Sequence, residues 1–397
     1  MLRFIKYTFL ISILTLGGCS EKPLNTPYGS NDKSSKVFYS SFQERPKHLD
    51  PARSYSSNEY AFIAQIYEPL YQYHYLKKPY ELIPLTAREM PELHYFDKDF
   101  KNTKDKNKAV YTKYILKIKK GILYQNHPAF FKINEDYIYH EISAIDLENI
   151  NTLKDFKDDE TRELTSDDYI YQIKRLADYK NHSPISGVMQ DYILGFGEYK
   201  NKLQNLQFSN SKEKINFVRS YNIKGVRKID KYTFSIILKK QYPQFIYWLA
   251  MPFFSPMPWE ADLFYSQQGL QKKNITLNWF PVGTGPFKLT ENNPNLRMIL
   301  EYNKNFRGEI YPSLEDKIIN KKLVSFNNSK EVPFLDKAIY SLEKEQIPRW
   351  NKFLQGYYDN SGIASDNYDQ AVSLNNSGDI SLNKELEDKG IHLTTAT

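Results

Sequence analysis

The sequence predicts a mixed α/β fold, on three observations. Stretches that alternate apolar and polar residues, Thr112–Lys120 and Lys231–Lys239, have the two-residue period of half-buried strands. Between them lie segments of helical period, with Phe62 and Ile66 four apart and Ile170, Ile173 and Ala177 on one face. The interleaving is irregular and shows no repeat of fixed length, which excludes a sandwich, a bundle or a solenoid. A chain of 397 residues suits two or three domains, and 41% hydrophobic with 25% charged residues supplies a core and excludes wholesale disorder.

Taken in order, Val37–Ser41 begins a strand. Asn58 can cap a helix that carries Phe62 and Ile66 and ends before Pro69. In Thr112–Lys120, Tyr114, Leu116 and Ile118 alternate with Ile115, Lys117 and Lys119. The charged, apolar-poor stretches Asp97–Lys108 and Asp155–Glu160 read as solvated loops. Thr165-Ser166-Asp167-Asp168 is a helix start with acid in its first turn. Tyr232, Phe234, Ile236 and Leu238 fall on one side of a strand. Gly283-Thr284-Gly285-Pro286-Phe287 reads as a tight turn between strands, where glycine permits positive φ. Pro348 opens a short helix with Trp350, Phe353 and Leu354 inward and Gly356 at its stop. Ile391, Leu393 and Thr395 alternate as a further strand would.

The first residues read as an address. Arg3 and Lys6 form a positive n-region, and Thr8–Leu16 is an apolar stretch shorter than the roughly 20 residues that span a bilayer. Leu16-Gly17-Gly18-Cys19 is similar to a bacterial lipobox, in which the cysteine thiol takes diacylglycerol and becomes the new N-terminus; an ordinary secretory signal is the other reading. Cys19 is the single cysteine of the chain, which excludes a disulfide framework and any multi-thiolate metal site. The following residues to Ser35, rich in serine and proline, read as a flexible tether.

Chemistry has little local support. None of the seven histidines has a partner at helical metal-site spacing, and HExxH, GxSxG and phosphate-cradling glycine loops do not occur. No metal, cofactor or catalytic residue is therefore expected. The net charge of +7 is spread along the chain rather than gathered into a nucleic-acid footprint. The run Tyr71, Tyr73, Tyr75 could stack sugars or bases, although alternation on a partly buried strand explains it as well.

Several stretches in a fixed order carry a resemblance. His48-Leu49-Asp50-Pro51-Ala52, Ile66-Tyr67-Glu68-Pro69-Leu70-Tyr71, Leu82–Ala87 and Met90-Pro91-Glu92 resemble the opening of family 5 solute-binding proteins, the oligopeptide- and dipeptide-binding components of ABC importers. Leu164–Tyr169 followed by Lys174-Arg175 looks like that family's helix, and Val226–Phe234 and Phe254–Pro258 match its strands. Pro281–Lys288 followed by Tyr302-Asn303-Lys304-Asn305-Phe306 is similar to its glycine-rich signature.

The resemblance implies a class C periplasmic-binding-protein-like bilobal α/β fold that closes on ligand between its lobes. It divides the chain into a lipoprotein signal peptide (1–18), a tether (19–35), the first part of lobe I (36–67), an inserted subdomain (68–224), the second part of lobe I (225–331) and the start of lobe II (332–397). Relatives continue for about as many residues again, so the chain reads as C-terminally truncated, with the acid that pairs with a peptide's amino group in the missing part. The segment after Leu49-Asp50-Pro51 lines the cleft in relatives, which makes Arg53, Tyr55, Ser57 and Asn58 ligand-binding candidates. Ser183-Pro184-Ile185 aligns with another cleft-facing turn, adding Ser183 and Ile185, although an aromatic is usual where Ile185 stands.

The implied function is a lipid-anchored receptor, not an enzyme. It captures peptides outside the cytoplasm for an ABC permease and its ATPase subunits, with the membrane as a partner and no nucleic acid. A non-transport envelope lipoprotein, a binder of a metal chelate, haem or cell-wall peptide, and an envelope hydrolase are the alternatives.

Overall fold

A computed structural model describes residues 35–313, 329–374 and 380–394. The address segment, Cys19 and almost all of the tether lie outside these residues. The chain forms two units, one of residues 45–294 and 298–336, the other of residues 1–44, 295–297 and 337–397.

The larger unit is organised around an antiparallel sheet in the order Glu92–Phe96, Tyr111–Lys117, Thr233–Leu238, Val226–Asp230. It takes strands from both sides of position 224. Alternation works here as the sequence predicts: Thr112, Tyr114 and Leu116 point inward, with Ile115 and Lys117 partly exposed between and beside them. Register places Leu116 opposite Phe234 and Tyr114 opposite Ile236, so the buried side chains of the two central strands form cross-strand pairs. Asp97–Lys108 connects the first two strands as a mostly exposed excursion, and its Phe100 stacks on Tyr111 at 4.0 Å.

The helix Ser166–Ala177 covers the buried face of this sheet, its Tyr169 ring lying nearly parallel to Phe234 at 5.6 Å. A capping box starts it, with Thr165 N donating to Asp168 Oδ2 at 2.9 Å. Ser166 Oγ and N donate to the carbonyls of Asp230 and Lys231, which pins the helix start to the hairpin turn. Eleven of its twelve residues are buried, Asp167 being the exception, so the face predicted from Ile170, Ile173 and Ala177 understates it. The polar members survive burial by pairing. Arg162 places its guanidinium between the buried carboxylates of Asp168 and Glu260, with contacts of 2.7–2.9 Å. Lys174 Nζ donates to the carbonyls of Val218 and Arg219, at the C-terminal end of helix Ser211–Ser220. Burial pushes its ammonium group down to about 8.

In the smaller unit, strand Val37–Phe42 runs parallel to Lys337–Leu342, Val37 opposite Lys337. Helix Gln346–Leu354 starts two residues before Pro348, which is tolerated because first-turn N–H groups have no intrahelical acceptor. Gly356, with φ 84°, follows its end as expected. Trp350 anchors a core with Ala371, Val372 and Leu386. Leu354, expected inward, is exposed. Ile391 and Leu393 pack against this core, but residues 391–394 are not a strand: Gly390 turns the chain at φ 77°, and Ile391 N closes back on Leu386 O. Thr395 lies outside the described residues.

Candidate functional site

The site is built where three chain segments meet within the larger unit. Helix Ser57–Ile66 is capped by Ser56 and Glu59, a capping box whose cap lies two residues before the expected Asn58; Asn58 Nδ2 instead donates to Arg45 O at 3.1 Å. Glu59 also accepts from the backbone of Lys47, His48 and Tyr55, so one buried carboxylate gathers the whole entry to the helix.

The turn before it is held from another direction. Asp50 accepts from Ala52 N at 2.9 Å and forms a two-pronged ion pair with Arg175, at 3.0 Å and 2.7 Å. Both side chains are buried. Burial pushes the Asp50 carboxyl up, but Arg175 and the Ala52 N–H outweigh it and hold the group below the usual carboxylate range. This turn delivers Tyr55.

At the other end of the helix, the backbone of Ile66 meets the glycine cluster. A Cβ on Gly283 would sit 1.9 Å from Ile66 O, and one on Gly285 would sit 2.7 Å from the carbonyls of Gln65 and Ile66. Neither glycine has positive φ, so the expected reason is corrected: the glycines permit close approach of two backbones, and Gly285 N donates to Ile66 O at 2.9 Å. Asn303, also buried, clamps the same loop by donating to Gly285 O through Nδ2 and to Pro286 O through its backbone.

Glu68 then joins its own motif to the glycine cluster and to the residue that follows Tyr302–Phe306. Its carboxylate accepts from Thr284 Oγ1 at 2.8 Å and from Arg307 Nη1 at 2.7 and 2.8 Å. Burial raises the Glu68 carboxyl, against the pull of Arg307.

These contacts frame a cavity of about 560 Å³. Its wall carries Tyr55, Tyr60, Tyr73, Tyr75 and Tyr247, each between 48% and 73% exposed and thus available to a ligand. Phe253, 6.1 Å from the Tyr55 ring, and Phe306 add apolar surface. The polar groups are few: Glu68, Gln72, Glu309 and the serines Ser54 and Ser56. Glu309 accepts from Gln72 Nε2 and from Tyr75 OH, the latter at 3.0 Å. Burial, with the Glu309 carboxylate beside it, pushes the Tyr75 phenol well up. Such a wall, broadly aromatic with a few convergent polar groups, suits a small organic ligand.

Of the candidates, Tyr55 lines this cavity, whereas Arg53, Ser57 and Asn58 flank it in sequence without being part of its lining. Ser183 and Ile185 lie outside the lining too; Ile185 is a core residue at the start of helix Ser186–Tyr192. Sequence reasoning passed over Tyr60, Tyr247 and Glu309, which carry no motif. Tyr73 and Tyr75 did carry a signal. The strand ends at Tyr73, only Tyr71 is buried, and the other two rings face the cavity. Among the described residues no cluster of three His, Cys, Asp or Glu could hold a metal ion.

The family model for bacterial extracellular solute-binding proteins, family 5 Middle, matches residues 149–390. The chain belongs to this family of solute-binding proteins. Over 143 residues, 36% of this chain and 23% of the relative, it is 28% identical to the periplasmic oligopeptide-binding protein OppA of Salmonella typhimurium. Its fold is that of solved family structures. The Helicobacter pylori periplasmic binding protein DppA, in complex with the peptide STSA, matches with a TM-score of 0.52 at 17% identity, over 86% of this chain and 50% of that one. Listeria monocytogenes OppA bound to peptide matches with a TM-score of 0.53 at 14% identity, over 85% and 48%. The chain thus spans about half the length of these solved relatives. The expected α/β class and periplasmic-binding-protein type are borne out.

Proposed function

We propose that this chain is the ligand-capturing part of a peptide importer: it binds short peptides outside the cytoplasm and delivers them to an ABC permease with its ATPase subunits. Diacylglycerol on Cys19 would hold it at the membrane, where several acyl chains anchor far better than one. The observation that carries the reading is the aromatic cavity framed by the family's own motifs, with Tyr55 in its wall. Exposed tyrosine and phenylalanine faces accept varied side chains at low entropic cost, as a receptor for many peptides requires. Family membership and relatives solved with peptide bound support it. Arg53, Ser57, Asn58, Ser183 and Ile185 remain proposed contacts, reached from the neighbouring turns.

The test is calorimetric titration of the chain with pools of three- to five-residue peptides. Saturable binding is expected, together with a stabilisation of about 2.7 kcal/mol at a hundredfold excess over Kd. Tyr55→Ala should weaken it. No heat and no thermal shift with any pool would overturn the peptide reading, and turnover of a peptide would turn it into an enzyme. Palmitate labelling that is lost in Cys19→Ser checks the anchor.

A further inference from the structure

We infer that the cavity selects cations, so that among peptides it takes those presenting a lysine or arginine side chain to the Glu309 end. The inference rests on the peptide reading above only for the identity of the ligand. None of the described residues lining the cavity is Lys, Arg or His, while two are glutamates. The two carboxylates are not equivalent. Glu68 is buried and its charge is met by Arg307. Glu309 is half-buried and accepts only from the neutral donors Gln72 and Tyr75, with no lysine or arginine paired to it among the described residues.

Two cations stand nearby, and neither is ion-paired to Glu309, although Lys119 keeps its charge and feels the Glu309 carboxylate from outside the lining. Arg307 gives Nη1 to Glu68 and Nη2 to Leu85 O, and Lys119 gives Nζ to Leu85 O at 2.7 Å. The neutral donors hold Glu309 in place without cancelling its charge, which leaves an oriented carboxylate in a partly desolvated wall.

The rings complete the site. Tyr73, Tyr75, Tyr60 and Tyr247 offer π faces around the same space, and an ammonium or guanidinium group within about 6 Å of such a face is attracted by its quadrupole. An anionic side chain would meet Glu309 and the same faces with the opposite sign, so exclusion reinforces selection.

The experiment compares matched ligands by calorimetry. Tripeptides Ala-Lys-Ala, Ala-norleucine-Ala and Ala-Glu-Ala vary one side chain, and phenethylammonium against phenethyl alcohol does the same without a peptide. The lysine peptide should bind at least tenfold more tightly than the norleucine peptide, and the glutamate peptide most weakly. Glu309→Gln should reduce the lysine-to-norleucine ratio towards one. Tyr75→Phe, which keeps the ring and removes one of the donors orienting Glu309, should reduce it partly. Glu135→Gln, at an exposed ion pair with Lys132, should leave the ratio intact. Equal affinities for the three peptides, or an unchanged ratio in Glu309→Gln, overturn the inference while leaving peptide binding standing. If no peptide binds, the function proposed above fails, and the amine pair decides this one: phenethylammonium bound in preference to the alcohol upholds it, and no preference ends it.

Discussion

Replacing Arg175 by Met should destabilise the larger unit by about 3–5 kcal/mol, the range for breaking a buried ion pair from one side. Both partners are almost fully shielded, at 3% exposure for Arg175 and 5% for Asp50, so solvent cannot take over the lost contacts. Met keeps the apolar stem but removes the Asp50 contacts of 3.0 and 2.7 Å, the 2.7 Å one being the shorter and stronger. It also frees Gln172 Oε1 and strips Asp262 of its 3.2 Å partner. Asp50 keeps only the Ala52 N–H. In the wild type the Asp50 carboxyl is depressed below its ordinary 3.8, so its contribution is present above that value and is lost as the pH falls through the folded one. In the variant, burial is the largest influence left, opposed only by the Ala52 N–H and the more distant Arg53, and it raises the group, so the variant gains as the pH falls. The gap between the two proteins therefore widens from pH 4 to pH 7. Urea denaturation followed by tryptophan fluorescence reads it, in a Trp350→Phe background that leaves Trp248, Trp259 and Trp279, all in the larger unit. The double variant Asp50→Asn/Arg175→Met should recover part of the loss. A cost under 1 kcal/mol, or a double variant equal to the sum of the singles, would refute the reasoning.

Other outcomes follow from the same geometry. Gly283→Ala should destabilise the larger unit by several kcal/mol, since its Cβ meets the Ile66 carbonyl, whereas Gly187→Ala, with open space and a helical position, should gain about 0.4–1 kcal/mol in the same denaturation assay. Arg307→Met should leave Glu68 buried without its cation, costing roughly 3 kcal/mol at pH 7 and less towards pH 5 as Glu68 takes a proton, measured as urea midpoints at the two values. His127 is buried as a neutral ring: Nδ1 accepts from Ala129 N at 3.0 Å, which leaves Nε2–H to donate to Tyr265 OH at 2.8 Å. Burial lowers the ring to about 3, so its stabilising contribution is present above the ordinary 6.5 and is lost as the pH falls from there. His127→Phe should flatten the wild-type loss between pH 6.5 and 4.5 by about 2–3 kcal/mol, read from denaturation midpoints.

The sheet was legible because its signal is local: one period, sustained through Tyr114 and Leu116 and again through Phe234, Ile236 and Leu238, decides which face is buried. The helix at Ser166 was legible for the same reason, as its capping box lies within four residues. What failed needed a partner distant in sequence. Asn58 has a capping side chain, but Glu59 was claimed by Ser56 and by the backbone of Lys47 and His48, and this moved the cap. The glycines at 283 and 285 looked like turn glycines because their reason lies more than two hundred residues earlier, at Ile66. The alternation at Ile391 and Leu393 is real, yet it reports packing against Trp350 rather than a strand, and a two-residue period over so short a run does not separate the two. The cavity was the least legible part, since Tyr60, Tyr247 and Glu309 stand in no motif and are brought to Tyr73 and Tyr75 only by the fold.

Asp50 of the first motif holds Arg175 of the helix motif; Glu68 of the second holds Thr284 and Arg307 at and beside the glycine signature; Asn303 clamps Gly285. Each is a buried polar contact whose loss would leave an unpaired group, so substitution at either member is penalised whatever the ligand. The exposed lining faces no such constraint. A tyrosine at 60 or 247 can change without stranding a buried partner, and the half-buried carboxylate at 309, held only by the side chains of Gln72 and Tyr75, can be exchanged at less cost than the buried ion pairs. The motifs therefore specify a frame, and ligand preference is written in the residues between them. For this chain the described wall holds tyrosines and a carboxylate without an ion-paired cation, and a relative with the same frame and a lysine at the position of Glu309 should reverse the charge preference while keeping the fold.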